Sequence, residues 1–141
     1  MKIVFNTNCL VRILPKNSPH YCLWTAFLDR KITLCYTTEV LQEYEEILSR
    51  FYSINFAKFT IEMLLKSPNG NQIIPYYKWN LISADPDDNK FVDCALNANA
   101  EFIVTNDHHF NILKTTGFPY IKVINIETFK SILLHENHSK E

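Results

Sequence analysis

The chain has 141 residues with 14 basic and 15 acidic side chains, enough length to bury a real core and nearly balanced charge. That balance excludes bulk electrostatic capture by nucleic acid or a membrane surface, so any such binding must be local. The longest uncharged apolar run falls far short of the roughly 20 residues that span a bilayer, and the chain opens on a strand-like segment without a signal-peptide pattern, so a cytoplasmic protein with no membrane contact is expected.

In chain order, Lys2–Phe5 reads as a first strand, closed by the polar turn Asn6-Thr7-Asn8. Cys9–Leu14 begins a short helix that Pro15 ends. Ser18-Pro19 fits the cap and first turn of a helix to about Arg30, with Cys22, Leu23, Phe27 and Leu28 along one side. Ile32–Tyr36 is a second strand. Thr37 or Thr38 caps a long helix to about Tyr52, and Asn55 caps another to about Lys66. Ser67-Pro68-Asn69-Gly70-Asn71 is a turn signal, and the strand-like Ile73-Ile74 is limited to an edge by Pro75. Asp85 and Pro86 look like cap and first position of a helix in which Phe91, Cys94, Ala95 and Ala98 share a face. Phe102-Ile103-Val104 is a buried strand ending at Thr105-Asn106-Asp107. A short helix over 108–113, a turn at Gly117-Phe118-Pro119, a strand over 121–124 and a last helix capped by Asn125 complete the chain. One domain over residues 1–134 is expected, with a polar, frayed tail over residues 135–141.

Strands alternating with helices predict an α/β fold: a three-layer α/β/α sandwich around a central, mostly parallel sheet. Ligands of such sheets bind at the C-terminal ends of the strands. Asn6 lies just past the first strand and Asp107 past the strand at Phe102, and carboxylates there are candidates for holding a hard divalent cation. Plainer readings stand beside this one. Asp85 at the cap and Asp88 at the third helical position could simply stabilise a helix N-terminus, Asp107 could cap the next helix, and Glu39, Glu43, Glu45 and Glu46 could form a solvated face. Tyr76, Tyr77 and Trp79 could stack on bases, but suit core or a subunit interface better; Arg12, Lys16, Lys58 and Lys90 could touch phosphates. Cys9, Cys22, Cys35 and Cys94 form no CxxC pair and lie in or beside apolar segments, which suits buried free thiols.

Taken together, KIVFNTNCLV, TTEVLQEYEEIL and DPDDNKFVDCALNANAEFIVTNDHHF resemble the PIN domain over about residues 1 to 130, and more narrowly its bacterial branch of toxin components of type II toxin–antitoxin pairs. The resemblance implies a ribonuclease holding Mg²⁺ or Mn²⁺ at an acidic sheet edge. Matched position by position, it implies metal and catalytic roles for Asn6, Glu43, Asp88 and Asp107, with Asp87 or Asn89 in place of Asp88 if the register slips by one. It implies a further metal ligand at Asp93 and supporting polar roles for Asn8 and Thr105. An RNA substrate, a cognate antitoxin protein and a homodimer follow from the same likeness. No histidine is required, although His108 and His109 directly after Asp107 invite a general-base role.

The chain departs from the family pattern at Asn6, where the family has aspartate. An amide oxygen can coordinate a cation but brings no charge, so weak metal affinity and impaired cleavage are expected. The departure is either natural degeneracy or a disarming substitution. The alternative function is a non-catalytic PIN-like module that binds RNA or protein. A phosphotransfer domain with acids at its strand ends fits less well, since Asn6 is no nucleophile.

Overall fold

The computed structural model describes residues 1–82, 86–115, 117 and 119–139, the last three by backbone alone. Five strands, β1 (Lys2–Phe5), β2 (Thr33–Tyr36), β3 (Gly70–Gln72), β4 (Phe102–Val104) and β5 (Lys122–Ile124), form one sheet in the order β3-β2-β1-β4-β5. Every pairing is parallel. Among the described residues six α-helices accompany them: α1 (Thr7–Ile13), α2 (Tyr21–Leu28), α3 (Thr38–Phe51), α4 (Ile54–Lys66), α5 (Asn89–Ala98) and α6 (Ile126–Ser139). Ile3 to Phe5 and Leu34 to Tyr36 are all buried, with no alternation, so both faces of the central strands are covered. This is the expected α/β architecture.

The strand order reverses between β1 and β4. The chain runs outward through β2 and β3 on one side, then returns to β4 and β5 on the other. Connections therefore leave the C-terminal ends of β1 and β4 in opposite directions and open a crevice between them. The Asn6 N–H donates to the Val104 carbonyl at 3.0 Å, so the two strand ends that flank the crevice are tied together.

Several boundaries differ from expectation, each for a local reason. Ser53, not Asn55, caps α4: its hydroxyl accepts the Phe56 N–H at 3.0 Å. Ser18 and Pro19 form a separate turn, and α2 starts at Tyr21. The turn signal at 67–71 holds the start of β3, and Ile73-Ile74 lies beyond that strand; pairing of Gly70 with Leu34 decides this, not β propensity. Thr37 is the cap of α3. Asp85 lies outside the described residues; Pro86–Asp88 form one 3-10 turn, and α5 begins at Asn89. The segment 108–114 is a 3-10 helix. In the turn at 117–119, Phe118 lies outside the described residues. The last helix continues to Ser139 rather than ending near Leu134. Cys9, Cys35 and Cys94 are buried as expected, but Cys22 is exposed. Burial pushes the Cys9 thiol up to about 11, so it stays protonated at neutral pH. Among the described residues no helix is long and apolar enough to cross a membrane.

Candidate metal and nucleic-acid site

Four elements deliver polar side chains to the crevice. Asn6 ends β1 and caps α1, and its Oδ1 accepts the Asn8 N–H at 3.2 Å. Glu43 comes from the second turn of α3. Asp88 ends the 3-10 turn before α5, and Asp107 follows β4. Asn6, Thr7, Asn8, Glu43, Ile47, Asp87, Asp88 and Asp107 line one cavity of about 240 Å³.

Local hydrogen bonds explain how each group is set. The Glu43 carboxylate accepts from the Thr7 hydroxyl and from the Lys90 ammonium, the latter at 2.9 Å. Lys90 reaches Glu43 from the neighbouring recess, which it lines with Glu39, Lys78 and Asp93. Burial pushes the Lys90 pKa down, but the hydrogen bond and charge of Glu43, with Asp87 and Glu39, raise it overall. Thr105 is buried, and its hydroxyl accepts the Asp107 N–H at 3.0 Å. Asp107 does cap the following 3-10 helix, its Oδ1 accepting the His109 N–H at 2.9 Å. Asp88 stands at the cap position of α5, where its side chain makes no capping hydrogen bond and its charge faces the helix N-terminus.

Asp87 lines the crevice beside Asp88, whereas Asn89 turns away: its amide binds both the N–H and the C=O of Ile82, each at 2.9 Å. Asp93 is not brought into the crevice either. It lines a separate recess with Lys78 and Asn80, and its Oδ1 accepts the Trp79 N–H at 2.9 Å. Asn97, one turn further, accepts the Tyr76 N–H at 3.0 Å and donates to the Tyr77 carbonyl at 3.2 Å. Asn89, Asp93 and Asn97 recur every fourth residue, so one stripe of α5 pins the extended segment 76–82 along its length. Asp93 lies five residues after Asp88, about 140° around a helix, which is why the two cannot face the same cavity. Tyr76 and Tyr77 are exposed on this strap rather than buried in the core.

Burial raises the Asp93 pKa; the Trp79 N–H and Lys78 oppose this, and Glu39 adds to it. The fold therefore binds the proton more tightly than the unfolded chain does. The resulting stability is complete below the ordinary carboxylate pKa and is lost as pH rises through the raised value. Asp93→Asn keeps an acceptor for Trp79 without charge. Urea unfolding of the two proteins from about pH 4, the ordinary carboxylate range, up to neutral pH should show a shallower decline with pH in Asp93→Asn. Parallel curves would mean that Asp93 does not carry this dependence.

Oxygen donors from several elements around one cavity are the chemistry that divalent cations take, so the residues present fit such an ion. Asn6, Glu43, Asp88 and Asp107 could hold it, with less charge than an all-carboxylate set because Asn6 is neutral and Lys90 already engages Glu43. Among the described residues, one group of three His, Cys, Asp or Glu side chains has ligand atoms all within 4.8 Å of one another: Asp107, His108 and His109. Thr7, absent from the sequence-based site, had no signal beyond nearness to Asn6, and Lys90, expected only as a possible phosphate contact, had none for its pairing with Glu43.

A doubly wound parallel sheet with carboxylates gathered where its strand order reverses defines the class. The chain belongs to the PIN domain family, whose pattern matches residues 2–109. Among solved structures, VapBC2 from Rickettsia felis bound to a DNA fragment from its promoter shares the fold. The TM-score is 0.61 at 18% identity, covering 89% of this chain and 98% of that chain. No curated protein sequence matches the chain.

Proposed function

We propose that this PIN domain is a metal-dependent endoribonuclease of the toxin type, working beside a cognate antitoxin in the cytoplasm, with activity lowered by Asn6. The observation that carries the reading is the meeting of Asn6, Glu43, Asp88 and Asp107, from separate elements, around one cavity at the reversal of strand order. A bound Mg²⁺ or Mn²⁺ supplies charge neutralisation and acidity at an RNA phosphodiester. Asp88, Asp107 and Glu43 hold the ion by charge. Asn6 adds an amide oxygen, fixed in direction by the Asn8 N–H. Thr7 and Lys90 keep Glu43 in place, and Thr105 holds the backbone of Asp107. Beside the crevice, a recess of about 370 Å³ lined by Arg12, Phe51 and Asn106 offers a cation and an aromatic face to a single strand. A homodimer accompanies the toxin reading.

The test is cleavage of single-stranded RNA with Mg²⁺ and Mn²⁺ by the chain, by Asn6→Asp, and by Asn6→Asp combined with Asp107→Asn. Asn6→Asp should cut RNA, the double variant should not, and the unaltered chain should cut weakly or not at all. A folded Asn6→Asp protein that neither cuts RNA nor binds either ion would overturn the ribonuclease reading. The Lys90–Glu43 pair and Asn6 favour a second reading, a non-catalytic module that binds RNA or protein at a crevice already partly neutralised. RNA binding without cleavage by Asn6→Asp would select it.

A further inference from the structure

We propose that His109 is itself a ligand of the cation in this crevice, together with Asp88 and Asp107, and that the site therefore selects a transition ion that accepts imidazole more readily, such as Mn²⁺, over Mg²⁺. The inference rests on the reading that the crevice holds a divalent cation, and it concerns which one.

The turn after β4 puts the imidazole in place. Asp107 Oδ1 accepts the backbone N–H of His109, which folds the His109 ring back over the same carboxylate. His109 Nδ1 then lies 3.4 Å from Asp107 Oδ1 and 3.6 Å from Asp88 Oδ2. That nitrogen is buried and makes no hydrogen bond. A ring N–H donating to either carboxylate would bring the atoms to about 2.7–3.2 Å. Two donors bound at about 2.1 Å to one ion instead sit about 3.0 Å apart at a right angle, about 3.4 Å apart in a tetrahedron and about 4.2 Å apart when opposed. Both observed separations fall in the second window. His108, 83% exposed with Nδ1 4.0 Å from Asp107 Oδ1, stands at the mouth and is not required.

The rest of the crevice favours the same choice. Asn6 brings no charge, and Lys90 engages Glu43, so the anionic field that a hard, strongly hydrated Mg²⁺ needs is reduced. A neutral imidazole makes up the missing donor, and imidazole suits transition ions far better than Mg²⁺. The competing explanation is a protonated His109 lying between Asp88 and Asp107 as a counter-cation. In that case the ring opposes metal binding, and removing it strengthens binding.

Electron paramagnetic resonance on the metal-free full chain titrated with Mn²⁺ separates the two. The free-ion signal reports affinity, and spin-echo modulation reports any directly coordinated nitrogen. Bound Mn²⁺ should show imidazole nitrogen in the unaltered chain and in His108→Gln, and none in His109→Gln. His109→Gln should bind Mn²⁺ roughly tenfold or more weakly while its competition by Mg²⁺ becomes relatively stronger. Bound Mn²⁺ without nitrogen modulation in the unaltered chain overturns the inference, even if His109→Gln fails to fold. So does unchanged or tighter Mn²⁺ binding by a folded His109→Gln. The ribonuclease reading stands or falls separately. RNA cleavage by Asn6→Asp with no nitrogen on the ion leaves the nuclease and removes the ligand, and nitrogen on the ion with no cleavage does the reverse. No divalent ion bound by the chain or by Asn6→Asp removes both.

Discussion

Phe91→Ala should lower stability by about 3–5 kcal/mol, the range for deleting a buried phenylalanine side chain where neighbours cannot close the gap. Phe91 is 1% exposed, and its ring centroid lies 6.5 Å from those of both Tyr44 and Phe110. Those three rings belong to α5, α3 and the 3-10 helix after β4, the elements that carry Lys90, Glu43 and Asp107. Tyr44 also donates its hydroxyl to the Phe5 carbonyl, one residue before Asn6. The cavity would therefore loosen the packing shared by every wall of the crevice. For a domain of this size the loss corresponds to a fall in Tm of about 10–15 °C. Thermal and urea unfolding would measure it, and a loss under about 1 kcal/mol would show that the ring does not bridge these elements.

Gly70→Ala should be destabilising by about 3 kcal/mol, against the usual sign for this exchange. Replacing glycine by alanine at a tolerant position stabilises by about 0.4–1 kcal/mol, because the unfolded chain loses freedom. Here an added Cβ would lie 2.0 Å from the Leu64 carbonyl oxygen and 3.1 Å from its carbon. Both are backbone atoms in the last turn of α4, so no side chain can rotate out of the way. The same carbonyl accepts the Tyr36 hydroxyl at 3.3 Å, and Gly70 donates its N–H to Ser67 at 3.0 Å. Relieving the clash must move the end of α4 or the start of β3, with overpacking costs of about 1–3 kcal/mol or somewhat more. Because β3 is the sheet edge farthest on that side from the β1–β4 crevice, ion binding per folded molecule should change little. A urea midpoint at or above that of the unaltered chain would contradict the steric account.

Much of the fold was legible because local signals agreed with one another. Short apolar runs ended in polar turns, helical faces repeated at their proper spacing, and their alternation implied a parallel sheet. Errors came where local signals competed. Ser53 and Asn55 are both good caps by residue type, and α4 starts from the first of them. Gly70 to Gln72 has no strand propensity, and pairing with β2 alone makes it a strand.

The site divides in the same way. Asn6 and Asp107 were visible in the sequence just past strand ends, whereas Glu43 and Asp88 were singled out only by the resemblance to the PIN domain. Asp93 was set apart by its place on α5, one turn after Asn89 on the stripe that holds the segment 76–82. What the sequence by itself determined is the succession of elements and the chemical groups at their ends, because helix and strand periodicity and capping act over a few neighbouring residues. Only the tertiary structure decided that those ends share one cavity, that Lys90 engages Glu43, and that the His109 ring nitrogen lies against Asp88. These are contacts between residues far apart in the chain or across a turn, set by the order of strands in the sheet and by the packing of α3 and α5 around it.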